Sequence, residues 1–335
     1  MGRRSFSLDA RRTARPAPSR LLAAGLVGLL LLSGVQLVSA ANREDLAEPF
    51  PVDRKGSMQN PAWSPDGHAL LITNFRKGYN RGPADLLIAD RETGAVTTLV
   101  ANGGDNINLP GATWNAATNR IIFSSSSDED HDEIFSIDPA KRNSLRQLTK
   151  RRGEMAFEPS FAPDGRSFVF ESHTAEEDYN GVLIIGFLDG KPPVSLTSSS
   201  VDCREPNWSP DGTRIVYQEL AGDRWRLRLF DFRDRSHRWL TDWPGEMTDA
   251  SFSPDGQWIV FSGEADDMRR ANLFLLSSSG GVPRRLTRSS SYDGAPSWSP
   301  DGKEIAFESV EARTLRRRAS VMTIAVPPAL LGGGQ

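Results

Sequence analysis

The chain has 335 residues, with 40 Lys+Arg against 43 Asp+Glu for a formal charge of −3, and 38% of its residues are hydrophobic. A charged fraction of 25% excludes a multispan membrane protein, and the acidic balance with scattered basic residues argues against a nucleic-acid partner. The length allows two domains or one large repetitive β fold, and the single cysteine, Cys203, excludes a disulfide framework or a Cys-rich zinc site.

The N-terminus departs from these averages. Six arginines and one Asp precede an uncharged run from Leu21 to Val38, followed by Val38-Ser39-Ala40 and the polar stretch Asn42 to Asp45. This reads as a signal peptide spanning residues 1–40, cleaved near Ala40, with an uncleaved anchor as the rival reading. Arg3-Arg4-Ser5-Phe6 resembles a twin-arginine signal, so both the general secretory and the twin-arginine routes stay open. Without residues 1–40 the formal charge becomes −8. A periplasmic or secreted protein with no membrane span after cleavage is expected.

Next comes a segment over 41–57, and then a phrase recurs: Trp63-Ser-Pro-Asp-Gly67, Phe161-Ala-Pro-Asp-Gly165, Trp208-Ser-Pro-Asp-Gly212, Phe252-Ser-Pro-Asp-Gly256 and Trp298-Ser-Pro-Asp-Gly302. Trp114-Asn-Ala-Ala-Thr-Asn119 is a degenerate sixth copy, and the aromatic anchors stand 51, 47, 47, 44 and 46 residues apart. In each turn Pro pre-sets φ, Asp bonds its own backbone and Gly closes the connection. Alternating strands follow, such as Ser167 to Glu171, Arg214 to Gln218, Trp258 to Ser262 and Glu304 to Glu308. A third run is represented by Asp85 to Asp90, Glu133 to Asp138, Leu227 to Asp231 and Asn272 to Leu276. The last segment ends in Leu-Thr at Leu148-Thr149, Leu196-Thr197, Leu240-Thr241 and Leu286-Thr287.

Four short strands per repeat make a propeller blade, so the expected fold is all-β: a six-bladed β-propeller of four-stranded blades over 58–326, with a tail over 327–335. The sixth copy runs into Pro327-Pro328 without a Leu-Thr strand. Its missing outer strand is expected from residues 43–55, joining the two ends of the chain.

These repeats resemble the TolB-type six-bladed propeller family, and the resemblance covers about residues 58–326. It implies a periplasmic module that binds protein partners in cell-envelope maintenance. Members of that family carry an α/β domain ahead of the propeller, whereas about 17 residues separate the expected cleavage site from the first repeat here. A propeller-only relative is therefore expected.

No Gly-x-Ser-x-Gly elbow or His-Glu-x-x-His pair occurs, and the Ser-Pro-Asp-Gly turns fit sialidase boxes poorly. No catalytic residue is assigned and no cofactor is expected. A divalent cation is the one candidate, with Asp128, Asp130, Asp132, His131 and His173 as weak ligands. The binding candidates are the residues three before the anchors, Asn60, Glu158, Glu205 and Asp249, with Gly111 and Ala295 in the other two copies. Three consecutive blades thus place a carboxylate at an equivalent point of the channel mouth, which would attract a cationic peptide or protein patch. The competing reading is that these carboxylates cap backbone amides at strand starts or pair with Arg204 and Lys150-Arg151-Arg152. The expected function is a monomeric, non-enzymatic, protein- or peptide-binding propeller of the cell envelope. The alternative is a carbohydrate-directed or sugar-binding propeller assisted by a metal.

Overall fold

The computed structural model describes residues 47–101, 107–128, 131–151, 153–174, 180–265, 268, 270–311 and 317–331. The expected signal peptide therefore lies outside the described residues. So do Asp130, the side chains of Asp128 and His131, and the loop acids Glu176 to Asp178, Asp266 and Asp267.

A two-residue strand, β1 (Glu48–Pro49), precedes the first full blade. Blade one contains β2 (Ser57–Trp63), β3 (Ala69–Phe75), β4 (Ala84–Asp90) and β5 (Val96–Ala101). Blade two contains β6 (Ile107–Asn115), β7 (Arg120–Asp128), β8 (His131–Asp138) and β9 (Lys141–Gln147). β10 (Glu154–Phe161), β11 (Ser167–Thr174), β12 (Val182–Phe187) and β13 (Val194–Ser195) form blade three. β14 (Cys203–Trp208), β15 (Arg214–Ala221), β16 (Arg224–Asp231) and β17 (Ser236–Trp239) form blade four. Blade five is β18 (Glu246–Phe252), β19 (Trp258–Glu264), β20 (Asn272–Ser277) and β21 (Arg284–Arg285). Blade six takes β22 (Tyr292–Trp298), β23 (Glu304–Val310) and β24 (Ala319–Ala325), with β1 as its outermost strand. The result is six four-stranded antiparallel sheets, as the repeat implied.

The repeated residues each solve a local backbone problem. In the Ser-Pro-Asp-Gly turns the serine hydroxyl donates to the Asp carboxylate, as from Ser209 to Asp211 at 2.6 Å. The same hydroxyl accepts the amide that restarts the chain, as from Arg214 at 2.9 Å. The Asp also accepts the amide two residues on, and the glycine takes φ near +70°, where a side chain would be strained. Blade two lacks the glycine, and Asn119 supplies the left-handed residue with φ 50°. In the Leu-Thr ending, the leucine amide donates to the third strand's carbonyl while the threonine hydroxyl accepts an amide from the same residue. Leu286 thus bonds the Leu273 carbonyl at 2.8 Å, and the Leu273 amide bonds Thr287 at 3.0 Å.

The core is distributed. Six apolar clusters lie one between each pair of neighbouring blades, for example Val216, Leu227 and Leu229 of blade four against Met247, Phe252 and Phe261 of blade five. Trp63, Phe161, Phe252 and Trp298 are buried in or beside these wedges. The ring closes where expected: β1 pairs antiparallel with β24, with Glu48 opposite Thr323, and Phe50 packs edge-on against Trp63 with ring centroids 6.2 Å apart. The expected tail contributes one more element, the helical turn α1 (Pro328–Leu331), whose Leu330 and Leu331 pack on the cluster between blades five and six. Among the described residues no helix is long and apolar enough to cross a membrane.

Two stability outcomes follow. Thr287→Val keeps the shape of a buried side chain but removes the acceptor of the Leu273 amide, so chemical denaturation will show a loss of about 1–3 kcal/mol. Phe50→Ala empties the closure between blades six and one and will lower stability by about 3–5 kcal/mol on the same measurement.

Candidate functional site

A cavity of about 240 Å³ occupies the channel where the innermost strands of all six blades meet. Its wall includes Asn60, Thr113, Glu158, Glu205, Asp249 and Ala295, one from each blade. Every innermost strand bulges here: its pairing with the second strand slips, as between Gln59 and Ala62 or between Arg204 and Asn207. Asn60, Glu158, Glu205, Asp249 and Ala295 all take left-handed φ values, between 47° and 54°.

The bulge turns an amide toward the neighbouring blade, where a carboxylate accepts it. Glu171 of β11 accepts from the Glu205 amide at 2.9 Å, and Glu205 in turn accepts from the Asp249 amide at 2.6 Å. Asp249 bonds the Ala295 amide, and Glu308 of β23 accepts from the Asn60 amide at 3.2 Å. A second tier lies one residue before each anchor. There Thr113, Ser160 and Asn207 accept the anchor amide of the following blade at 3.0 Å, and Ser297 accepts that of Trp63 at 3.4 Å.

The electrostatics are one-sided. Tyr79 donates to Glu308 at 2.9 Å, and the His173 ring lies 2.8 Å from Glu171 through Nε2. Arg204 is the nearby cation, and its guanidinium is engaged by Asp202 through two bonds of 2.9 and 2.8 Å. Burial, reinforced by the charges of Glu171 and Glu205, holds the Glu158 carboxyl well above the ordinary range. Burial followed by the Asp249 charge does the same to Glu205, and burial raises Asp249. Burial pushes Glu308 up to about 7 despite the bonds from Tyr79 and Asn60. The Glu158 Oε2 atom is buried without a hydrogen-bond partner.

The four sequence candidates therefore meet at one cavity, and the geometry combines both sequence readings: Glu205 and Asp249 cap amides and also line the channel. Sequence reasoning missed Glu171 and Glu308, which sit at equivalent places in their blades. The equivalent residues elsewhere are Thr73, Ser124, Gln218 and Ser262, and all six are buried. A polar residue recurring after each apolar run was the available signal. Of the weak metal candidates, Asp130 and the side chains of Asp128 and His131 lie outside the described residues, His173 belongs to the channel network and Asp132 lies on β8; among the described residues no group of three or more His, Cys, Asp or Glu is arranged to hold a metal.

Six blades of this grammar define a β-propeller built from TolB-like repeats. The family model for the TolB beta propeller domain, PD40, matches residues 173–314. A TolB homolog of Chlorobium chlorochromatii is 28% identical over 225 residues, covering 64% of this chain and 45% of that protein. Among solved structures, TolB from Acinetobacter baumannii superposes with a TM-score of 0.61 at 20% identity, covering 83% of this chain and 65% of that one. An oligogalacturonate lyase in complex with manganese superposes with a TM-score of 0.56 at 14% identity, covering 85% and 97%. The chain is thus a six-bladed propeller that resembles the TolB family, and it spans less than half the length of the Chlorobium relative.

Glu308 gives the channel a pH signature. Its carboxyl holds a proton in the fold up to about pH 7, against an ordinary value of 4.5, so the stability it contributes is full below 4.5 and is lost as pH rises through 7. Urea unfolding across that window will show a decline of roughly 3 kcal/mol from this group, and Glu308→Gln will flatten the profile by that amount.

Proposed function

We propose that this chain is an exported, TolB-like module that binds a protein or peptide partner of the cell envelope through a cationic segment placed at the acid-lined channel. The observation that carries this reading is the convergence of Glu158, Glu205 and Asp249, from three consecutive blades, on one cavity. A lysine or arginine side chain entering there meets carboxylates whose negative form is costly in isolation. It stabilises that form by direct charge pairing in a partly desolvated site. The chain acts by binding, as a monomer; Glu205 and Asp249 have a dual role, since each caps an amide of the next blade and lines the cavity, and Glu158 contributes an uncapped carboxylate beside them.

The N-terminal arginines and the apolar run ending near Ala40 support export to the periplasm with removal of the leader. The similarity to TolB homologues favours an envelope-maintenance or transport assembly as the setting.

Titration calorimetry of residues 41–335 with short Lys- and Arg-containing peptides tests the reading. Binding is expected to weaken as salt rises, and the double variant Glu158→Gln/Glu205→Gln, which keeps the amide caps, is expected to weaken it at least tenfold. Peptide affinity that ignores both salt and the double substitution would sink the proposal, as would cleavage of an acidic oligosaccharide by the purified chain.

A further inference from the structure

The flank of blade four carries a second surface of opposite sign, independent of the channel. Residues 224–239, the β16–β17 hairpin, hold six arginines and two aspartates, in a chain whose net charge is −3. Basic residues that look scattered along the whole chain are concentrated here.

Leu240 donates to the Leu227 carbonyl at 3.1 Å, which fixes the phase of the pairing between β16 and β17. Alternation in an antiparallel ladder then leaves Phe230 opposite His237 and Arg228 opposite Trp239 as non-bonded pairs. The amides and carbonyls of His237 and Trp239 consequently face away from the sheet, along the open edge of blade four. Side chains of non-bonded pairs lie close, and the Phe230 and His237 rings are 4.8 Å apart.

The Trp239 ring is 36% exposed, and the guanidinium groups of Arg226 and Arg228 lie over it at 5.0 and 4.9 Å. Arg226 is pinned by the Thr241 carbonyl at 2.8 Å, and its carboxylate neighbour, Asp242, is fully exposed at 3.7 Å. Arg238 is pinned by the carbonyls of Ser278 and Ser279 at 2.8 and 3.3 Å. Arg228 pairs with the Glu219 carboxylate at 2.6 Å, whereas carbonyls hold the guanidinium groups of Arg226 and Arg238 in place without neutralising them. The Nε donors of Arg226 and Arg228 are buried without acceptors, so part of the desolvation cost is already met in the free protein. Other outer strands lack this combination. β1, β13 and β21 have two residues each, β5 has no charged residue, and β9 has no aromatic one.

We propose that β17 is a docking edge for an extended acidic polypeptide segment, which adds as a fifth strand to blade four and sets its carboxylates against Arg238 on one face of the sheet while an apolar residue covers Trp239 on the other. A polypeptide is the occupant because the exposed main-chain groups of His237 and Trp239 repeat at the spacing that another strand's backbone complements. One exposed indole is too small an apolar area to seat a lipid surface.

The test uses residues 41–335, a synthetic peptide of alternating Glu and Val, a matched Lys and Val peptide, phosphatidylglycerol vesicles and heparin. Hydrogen exchange is expected to slow at the His237 and Trp239 amides when the Glu/Val peptide binds. Binding should weaken at least tenfold in both Trp239→Ala and Arg238→Gln, and should persist in the channel variant Glu205→Gln. Unchanged exchange at β17 would overturn the proposal, as would equal binding of the Lys/Val peptide. It would also fail if the vesicles or heparin bound in a Trp239-dependent way while the Glu/Val peptide did not.

Discussion

Each innermost strand must pass the crowded centre of the ring, and those of blades one, three, four, five and six do so by placing one residue in the left-handed region. For residues other than glycine this conformation costs on the order of 1 kcal/mol, and it breaks the register with the second strand. What offsets the cost is the amide it frees, which reaches sideways into the next blade instead of pairing within its own. An acceptor must therefore stand on the neighbour. A carboxylate serves well because a charged acceptor makes the stronger hydrogen bond. The acidity of the channel follows from this backbone constraint: Glu171, Glu205, Asp249 and Glu308 are present as caps before they are anything else.

The same sideways linkage explains why the blades behave as a set. A single four-stranded sheet has two apolar faces, and each needs a neighbour to remove it from water. The wedge clusters supply that burial without directional preference, while the two tiers of amide caps fix how far each blade is rotated against the next. The Ser-Pro-Asp-Gly turns continue this outward. Gly212 approaches Pro163 of the preceding blade, and Gly67 faces Pro300 across the closure. Repeated chemistry at the inner wall and at the turns thus carries geometry around the ring.

Much of this was legible in the chain. Local turn chemistry repeated at a constant period identifies blades, because Pro, Asp and Gly act on the backbone within four residues. The ring-closing strand followed from counting, since the sixth copy was one strand short. The site was legible only in part. Glu158, Glu205 and Asp249 stood out by their equivalent placement, but their left-handed conformation, and the bonds of Glu205 and Asp249 to the next blade, depend on contacts about 45 residues away in sequence. Glu171 and Glu308 were read as the polar ends of alternating strands, a pattern that marks solvent in most sheets and the channel axis in this one. The basic edge of blade four was hidden by averaging charge over the whole chain.

Closing the ring with β1 also has a temporal side. Glu48 is among the first propeller residues to be synthesised, and its partner Thr323 is among the last. Blades one to five can each form from a contiguous stretch, whereas the final sheet requires the two most distant parts of the chain to meet, which makes it the slow, high-contact-order step. Until then two wedge clusters remain half covered and two sheet edges stay open. A chain that stops short of β24 is consequently an unclosed array with exposed apolar faces, recognisable to any protease or chaperone that surveys unfinished proteins.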